Sequence, residues 1–215
     1  MKRLKEEFLD KVEGQITFKD KNVLEIGCGR GSRSIEIAKR CKHLVAIDPS
    51  AEALQKAVEL NSRANIEYKK GKAEELEFAD TSFDIVLFTL SIHHVPASLM
   101  AKAIREAIRV TKPHGYIVFL EPAYRGSFFQ AERYFDACDG DERKEIAFAY
   151  YSILNCPDYT EVAEILDETI MKFDSAEDFI ESMGVRKHVT ELDAFLKRHE
   201  YILDAERRIN IFRVK

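Results

Sequence analysis

Short apolar runs alternate with helical periodicities between Lys21 and Glu121. Such runs predict buried β-strands, and they lie at residues 23–26, 44–47, 83–90 and 116–120. Residues 65–69 predict a further strand with a weaker pattern, because this stretch contains charged residues. Between them, apolar side chains recur at helical spacing and predict helices at residues 35–41, 54–61 and 99–108. Pro113 ends the last of these helices, because proline lacks the amide that a helix interior needs. The alternation of strand and helix predicts a parallel sheet with helices on both faces.

The pattern changes after Pro122. Residues 123–185 show helical periodicity with almost no strand signal, and three apolar stripes predict helices at residues 146–154, 162–170 and 176–183. Gly184 suits the position that follows a helix C-terminus, where the backbone often turns left-handed. Apolar and polar residues alternate again at residues 208–214, which predicts a final strand. The strand before it is expected either near residues 186–192 or near residues 201–204.

The composition is that of a globular protein. With 215 residues, 46% of them apolar, the chain suits one domain with a decorated edge, or one large and one small lobe. No run of eighteen uncharged apolar residues occurs, so no membrane span is expected. The first seven residues lack an apolar segment and are typical of a polar helix start rather than a signal peptide. These features favour a cytoplasmic protein.

The four cysteines form no CxxC pair and have no histidine at metal-ligand spacing; they are Cys28, Cys41, Cys138 and Cys156. In a reducing compartment such cysteines are expected to be buried small side chains rather than disulfide partners or metal ligands. The sequence therefore predicts no metal site.

The whole chain has a formal net charge of −5. Its acidic residues are concentrated near the C-terminal third. Between Asp158 and Glu181 nine acidic residues face a single base, Lys172. Because nucleic-acid binding depends on clustered lysine and arginine, no nucleic-acid partner is expected. The acidic segment is either a solvated face or a surface that attracts a cationic substrate. The oligomeric state stays open, with a homodimer as one option.

A glycine-rich loop follows the first predicted strand. Gly27, Gly29 and Gly31 let the backbone approach a ligand closely and leave amides free at a helix N-terminus. Asp48 lies twenty-one residues past Gly27, at the end of the second strand, where its carboxylate can accept two ribose hydroxyls. Asp48 is alternatively a helix cap, a role that Ser50 can also take. Loop and carboxylate together favour an adenosine-containing cofactor.

The run from Glu25 to Gly31 resembles the first motif of class I S-adenosylmethionine-dependent methyltransferases. Three further stretches resemble later motifs of that family in order and spacing, at residues 71–84, 90–95 and 109–115. The resemblance covers about residues 20 to 122. It implies a doubly wound, mostly parallel, seven-stranded α/β sheet. The implied units are a cofactor-binding core (1–122), a helical lid on the substrate side (123–185) and C-terminal strands that complete the sheet (186–215).

The resemblance also implies S-adenosylmethionine as cofactor, S-adenosylhomocysteine as product and a set of cofactor-binding positions. By portion of the cofactor, these are Gly27, Cys28, Gly29 and Gly31 for the amino-acid part, Glu25 for the loop and the ammonium, Asp48 and Pro49 for the ribose, Ala73 and Glu74 for the adenine, and Leu90 and Ser91 around the sulfonium. Two positions depart from the family pattern. Lys72 stands where an aspartate usually accepts from the adenine amino group, and lysine cannot accept. His114 stands in a turn that is usually Pro-Gly-Gly, and histidine tolerates a positive φ better than most residues.

A nicotinamide dehydrogenase is the main alternative for the glycine loop. It shares Gly27, Gly29 and Asp48, but Ser32 stands where the third dinucleotide glycine falls, and that fold has no counterpart to the later motifs.

The acceptor side is less defined. His93 and His94 follow the fourth strand, and either is a candidate general base; alternatively one packs inside and the other faces solvent. Glu121 either holds a cationic acceptor or forms a structural salt bridge. Tyr150 and Tyr151 point to different faces of a helix, so one of them can face the substrate.

Aromatic residues and an acidic insert suit a cationic amine, and they suit a flat phenolic or quinone-like acceptor equally well. The expected function is methylation of a small molecule on nitrogen, oxygen or carbon. The alternatives are a cofactor-binding but inactive partner subunit and a protein methyltransferase.

Overall fold

The computed structural model describes residues 1–215. Its eight strands are β1 (Lys2–Lys5), β2 (Asn22–Ile26), β3 (His43–Asp48), β4 (Ile66–Lys70), β5 (Phe83–Thr89), β6 (Thr111–Pro122), β7 (Tyr159–Lys172) and β8 (Ile202–Val214). Its eight α-helices are α1 (Phe8–Glu13), α2 (Ser34–Ala38), α3 (Ala51–Leu60), α4 (Ala97–Val110), α5 (Ser127–Phe135), α6 (Arg143–Leu154), α7 (Ala176–Met183) and α8 (Val189–Arg198). A short 3-10 turn, Ile92–His94, follows β5.

All strands join one sheet in the order β1-β7-β8-β6-β5-β2-β3-β4. The strands from β2 to β6 run parallel, whereas β8, β7 and β1 add antiparallel neighbours at one side. This arrangement confirms the predicted α/β doubly wound sheet. The strand count is eight rather than seven, because residues 2–5, expected to begin a helix, pair with the edge of β7.

Apolar side chains cover both faces of the parallel strands. One core cluster of 22 buried residues packs on one face, with Leu24 and Val86 among them. A second cluster of 18 buried residues packs on the other face. It contains Val23 and Ile85, which directly precede Leu24 and Val86 in their strands. Strands buried on both faces read as continuous apolar runs, which is why the sequence predicted β2, β3 and β5 closely.

The helix predicted at residues 162–170 is wrong, because this stretch belongs to the long strand β7. β7 pairs antiparallel with β8 along its whole length, from Tyr159 opposite Val214 to Lys172 opposite Ile202. Two of its buried positions hold Asp167 and Thr169, so apolar residues do not alternate there and the period of two is concealed. The insert between residues 123 and 185 is therefore not wholly helical.

Neither position expected for the strand before the last one is right. Residues 186–192 lead into α8, and residues 201–204 contain the beginning of β8 itself. The missing strand is β7, which comes earlier in the chain than either alternative. Because antiparallel partners can lie anywhere in the sequence, local patterns did not identify it.

The acidic segment does not form a cover over the carboxyl ends of the parallel strands. Its residues lie on β7 and on and around α7, most of them exposed. The buried one, Asp167, faces inward and forms an ion pair with Lys11 at 2.7 Å. Glu164 accepts hydrogen bonds from Tyr150 and Asn210 at 2.8 Å each. A role in drawing a cationic substrate to the site is not supported by this placement.

Two predicted backbone positions agree with the structure. Gly184 follows α7 with φ +65°, and His114 has φ +62°. Of the four cysteines expected to be buried, Cys28 is buried, whereas Cys41, Cys138 and Cys156 are only partly buried. None of the helices is both long and apolar enough to cross a bilayer.

Candidate active site

A cavity of about 650 Å³ lies at the carboxyl ends of the central parallel strands. Each neighbouring strand end contributes to its wall, namely Gly27 and Gly29 after β2, Asp48 and Pro49 at the end of β3, Ala73 and Glu74 after β4, and Leu90 and Ser91 after β5. In open α/β sheets this edge is where ligands bind. The structure therefore brings together eight of the residues that the sequence analysis assigned to a cofactor.

The glycine loop forms the floor of this cavity, which we call the cofactor cavity. Gly27 has φ +79° and its amide donates to the Ile47 carbonyl oxygen at 2.8 Å. A Cβ on Gly27 would lie 2.2 Å from the Ser91 Cβ, so only glycine fits there. Gly29, at φ +53°, has open space where a Cβ would stand. The loop thus presents bare backbone to the cavity.

Asp48 is held by the loop and faces the cofactor cavity. Its Oδ2 accepts from the Gly29 amide at 2.8 Å, and its Oδ1 accepts from the Ser50 amide at 2.9 Å. The helix-cap role belongs to Ser50, whose side chain accepts from the Ala53 amide at the start of α3. Since a carboxylate has about four lone-pair sites, Asp48 retains acceptor capacity on both oxygens for two hydroxyls.

At the far end of the cofactor cavity, Lys72, Ala73 and Glu74 form the wall after β4. The Glu74 side chain takes part in none of the chain's side-chain hydrogen bonds or ion pairs, so it is free to accept from a ligand. Lys72 is paired through its backbone with Glu75 in an isolated bridge. The Glu74 carboxylate, two residues after Lys72 in the chain, is therefore available to accept from an amino group.

Three residues expected to touch the cofactor lie outside the cavity wall. Glu25 is fully buried and accepts hydrogen bonds from Ser34 on α2 and from Thr89 on β5. Burial raises the pKa of this carboxyl. Glu25 thus ties the glycine loop's strand to its neighbours rather than contacting the ligand space.

Cys28 and Gly31 have packing roles as well. Cys28 is 7% exposed and belongs to the core cluster on one face of the sheet. A Cβ on Gly31 would meet the Tyr68 hydroxyl at 2.5 Å and the Ala57 Cβ at 3.1 Å. Gly31, at φ +75°, therefore lets the loop pack against β4 and α3.

His93 and Glu121 form a buried pair beside the cofactor cavity. The His93 Nδ1 contacts the Glu121 Oε2, and the Glu121 Oε1 accepts from the amides of Ser91 at 3.0 Å and Ile92 at 3.3 Å. Burial by itself lowers the pKa of His93, but the charge and hydrogen bond of Glu121 outweigh it, so the pKa is raised. Both Glu121 oxygens are occupied by the protein. This favours the structural alternative for Glu121 over a direct contact with an acceptor.

The His94 ring lies beside that of His93 at an interplanar angle of 48°, and His94 lines the cofactor cavity. Their ring centroids lie 4.1 Å apart, and the His94 Nδ1 lies 3.3 Å from a Glu142 oxygen. The His93 Nε2 lies 3.8 Å from the other Glu142 oxygen. One ligand atom from each of His93, His94 and Glu142 falls within 4.8 Å of the others, so these residues are the group best placed to hold a metal ion.

A second cavity of about 240 Å³ adjoins the first and shares Leu90, His94 and Asp139 with it. Two aromatic rings of α5 line it, Phe128 and Phe129, which are 4% and 7% exposed. We call this space the side cavity. It is placed where a small molecule would meet the ligand of the cofactor cavity.

The side cavity contains charged residues that the sequence analysis did not single out, namely Arg3, Arg33, Glu132, Asp139, Glu142 and Arg207. One of them had a readable signal. The buried positions of β8 follow a period of two through Leu203, Ala205, Arg207 and Ile209, so Arg207 is a charge at an inward position. The others come from separate elements, and only the fold brings them together.

Tyr150 does not reach either cavity. Its hydroxyl donates to Glu164 on β7 at 2.8 Å, and the Arg208 guanidinium lies 3.9 Å from its ring centroid. The neighbouring Tyr151 is 63% exposed. Tyr150 thus lies away from both cavities, because α6 turns this face towards β7 and β8.

Comparison with known proteins supports the identity of this site. A family profile described as a methyltransferase domain matches residues 24–119. The ubiquinone/menaquinone biosynthesis C-methyltransferase UbiE of Rickettsia prowazekii is 36% identical over 117 residues, which cover 50% of this chain and 46% of that protein. The chain thus spans about half the length of the curated relatives it matches.

Solved structures share the fold over nearly the whole chain. A putative methyltransferase from Bacillus halodurans has a TM-score of 0.67 at 20% identity, covering 95% of this chain and 97% of that one. The N-methyltransferase NodS from Bradyrhizobium japonicum, solved with S-adenosylhomocysteine, has a TM-score of 0.57 at 16% identity, covering 96% and 84%. Residues 24–119, which contain the glycine loop and Asp48, match a methyltransferase domain, and the chain shares its fold with these solved structures.

Proposed function

We propose that this protein transfers a methyl group from S-adenosylmethionine to a small molecule. The observation that carries the proposal is the convergence of the glycine loop, Asp48, Glu74 and Ser91 on one cavity of about 650 Å³. That volume lies within the usual range of roughly 300–1,000 Å³ for cofactor sites. The bound cofactor would supply a methyl group on a positively charged sulfur, already activated for displacement.

The chain's own residues fit this cofactor portion by portion. The bare backbone at Gly27 and Gly29 accommodates the amino-acid part, and Asp48 accepts from the ribose hydroxyls. Glu74 accepts from the adenine amino group in place of the aspartate that Lys72 replaces. Leu90 and Ser91 place the reacting end beside the side cavity, since Leu90 lines both spaces.

Catalysis in this arrangement consists mainly of alignment and exclusion of water. His94 reaches both cavities and is the candidate for accepting a proton from the acceptor. His93 is a positioning residue, because its Nδ1 is bound to Glu121, which in turn holds the backbone of Ser91 and Ile92. The small side cavity favours a small-molecule acceptor over a protein side chain.

The first test is calorimetric titration of the purified protein with S-adenosylmethionine, S-adenosylhomocysteine and NADH. We expect both sulfur compounds to bind and NADH not to bind. Formation of S-adenosylhomocysteine with a panel of acceptors then separates an active enzyme from a cofactor-binding partner subunit. Failure of both sulfur compounds to bind would contradict the proposal.

A further inference from the structure

The side cavity contains a buried arginine that the protein itself leaves without a partner. Arg207, on β8, is 9% exposed, and its Nε has no hydrogen-bond partner. Burial and the nearby charge of Arg33 lower its pKa to about 10, so it stays charged at neutral pH. A buried charge without a partner is costly, and buried polar groups left unsatisfied in this way need an explanation. A ligand with an anionic group provides one.

Two more arginines strengthen the positive side of the cavity. Arg33, which precedes α2, and Arg3, on β1, both line it and share the single carboxylate of Glu6. Arg33 Nη2 lies 2.6 Å from Glu6 Oε1, and Arg3 Nη1 lies 3.1 Å from Glu6 Oε2. Two guanidinium groups therefore share one carboxylate, and the third guanidinium, that of Arg207, has none. The fork of N–H groups on Arg207 suits a bidentate bond to a second carboxylate, brought by the ligand.

Acidic residues line the side cavity as well. Glu132 from α5 lines it together with Asp139 and Glu142 from the segment that leads to α6. Burial raises the pKa of Glu132 to about 7, and Arg207 opposes this shift. Glu132 and Arg207 line the same space without forming an ion pair with each other. A ligand in this space can therefore meet an acidic and a basic side chain at the same time.

The acidic side is the one next to the cofactor cavity. Asp139 lines both cavities, and Glu142 contacts His94, which also lines both. A donor group held by the acidic wall thus faces the place where the methyl group would arrive. None of the arginines lines the cofactor cavity, whereas Asp139 does.

We infer that the side cavity binds the methyl acceptor, and that this acceptor is a small amino-acid-like zwitterion with its carboxylate on Arg207 and its amine towards Glu132. The inference rests on the proposed methyltransferase function. The ammonium first gives one proton to His94, which lines both cavities. The amine nitrogen then forms a bond to the methyl carbon as the carbon–sulfur bond breaks, and the electron pair of that bond stays on sulfur.

The test uses pairs of compounds that differ only in the carboxylate: glycine and methylamine, histidine and histamine, tyrosine and tyramine, 4-aminobutyrate and propylamine. Each is titrated into the protein saturated with S-adenosylhomocysteine, and each is assayed for methylation with S-adenosylmethionine. We expect at least one amino acid to bind and react, with its matched amine weaker by about 30-fold, as the loss of a charged hydrogen-bonded pair implies.

The residue is tested in parallel with Arg207→Gln and Arg207→Lys. Both should lower acceptor affinity about 10-fold or more, with the lysine variant less affected, while S-adenosylhomocysteine binds within about twofold of the unchanged protein. Arg213→Gln removes the same charge from an exposed position of the same strand and should change neither affinity. Melting curves establish that each variant is folded.

Three outcomes overturn the inference while S-adenosylhomocysteine still binds. They are equal use of amines and amino acids, no binding or methylation of any amino acid, and unchanged acceptor affinity in folded Arg207→Gln protein. Loss of S-adenosylhomocysteine binding by the unchanged protein would instead reject the methyltransferase proposal, and this inference with it.

Discussion

A Cβ on Gly27 would stand 2.2 Å from the Cβ of Ser91, so the glycine loop and the end of β5 touch at a point that admits no larger residue. Ser91 reinforces this contact, because its hydroxyl donates to the Ile26 carbonyl oxygen at 2.6 Å. The contact closes the floor of the cofactor cavity between two strands. Its geometry leads directly to a test of the loop.

Gly27→Ala is expected to lose measurable binding of S-adenosylhomocysteine and to destabilise the fold. The substitution combines the collision with Ser91 and a side chain at φ +79°. A residue held in a left-handed conformation costs of order 1–3 kcal/mol before any collision is counted. Calorimetry and urea unfolding measure the two effects.

Gly29→Ala is the matched control for backbone strain without collision. No atom lies within 4 Å of its built Cβ, and its φ is +53°. We expect a stability loss of only about 1–2 kcal/mol. The double variant Gly27→Ala/Ser91→Gly, which removes the colliding atom, should recover part of the loss. No recovery would mean that strain, not collision, determines the Gly27 effect.

Asp48→Ala should weaken S-adenosylhomocysteine binding by about 1–3 kcal/mol, the usual cost of losing hydrogen bonds to a charged acceptor. Part of this effect passes through the loop, because Asp48 also accepts from the Gly29 amide. Asp48→Asn keeps one oxygen for that amide, so its affinity for S-adenosylhomocysteine should lie between those of the unchanged protein and Asp48→Ala. Titration calorimetry measures all three, and equal affinities would remove Asp48 from the binding site.

The His93–Glu121 pair predicts a pH dependence of folding stability. The pKa of His93 is raised above 6.5 in the folded state, so the pair's contribution is fully present below pH 6.5. It is lost as pH rises through the folded value. Urea unfolding between pH 5.5 and 9 should show this decline, and Glu121→Gln should flatten it. A decline of the same size in Glu121→Gln protein would exclude the pair as its source.

Glu132 predicts a second decline of folding stability with rising pH, in a lower pH range than that of His93. Its pKa is raised from 4.5 to about 7, so between these values the folded protein keeps a proton that the unfolded chain has lost. Stability therefore falls as pH rises through this interval. The groups that act on Glu132 come from β8 and from the segment after α5, namely Arg207, Cys138, Asp139 and Glu142.

Glu132→Gln should match the unchanged protein at pH 4.5 and exceed its stability by about 1–3 kcal/mol at pH 8. Unfolding curves at the two pH values give this difference. Glu59→Gln, on the exposed side of α3, is the matched control and should change stability by less than about 0.5 kcal/mol at either pH. An equal effect of both variants would contradict the raised pKa of the half-buried Glu132.

Arg207→Met should stabilise the protein without ligand, although it removes the proposed acceptor anchor. Methionine fills much of the same space and leaves no unpartnered buried charge. We expect a gain of about 1–3 kcal/mol in the free energy of unfolding, the usual cost of an unsatisfied polar group. A loss of that size would mean that Arg207 supports the fold and is not reserved for a ligand.

Local patterns in the sequence predicted the parallel half of the sheet and most of the residues that line the cofactor cavity. β2, β3 and β5 are buried on both faces, so their apolar runs are visible locally. The glycine loop and Asp48 stand at the ends of such runs, and parallel strands bring their carboxyl ends to one edge. Short-range patterns therefore located eight residues that line the cofactor cavity.

The antiparallel half of the sheet and the side cavity could not be predicted from local patterns. β7 was concealed because inward positions hold Asp167 and Thr169, whose burial depends on partners elsewhere in the chain. Arg207 and Glu132 face one cavity because β8 returns beside β6 and places its inward side next to α5. Such pairings depend on contacts between residues distant in sequence, which no local periodicity records.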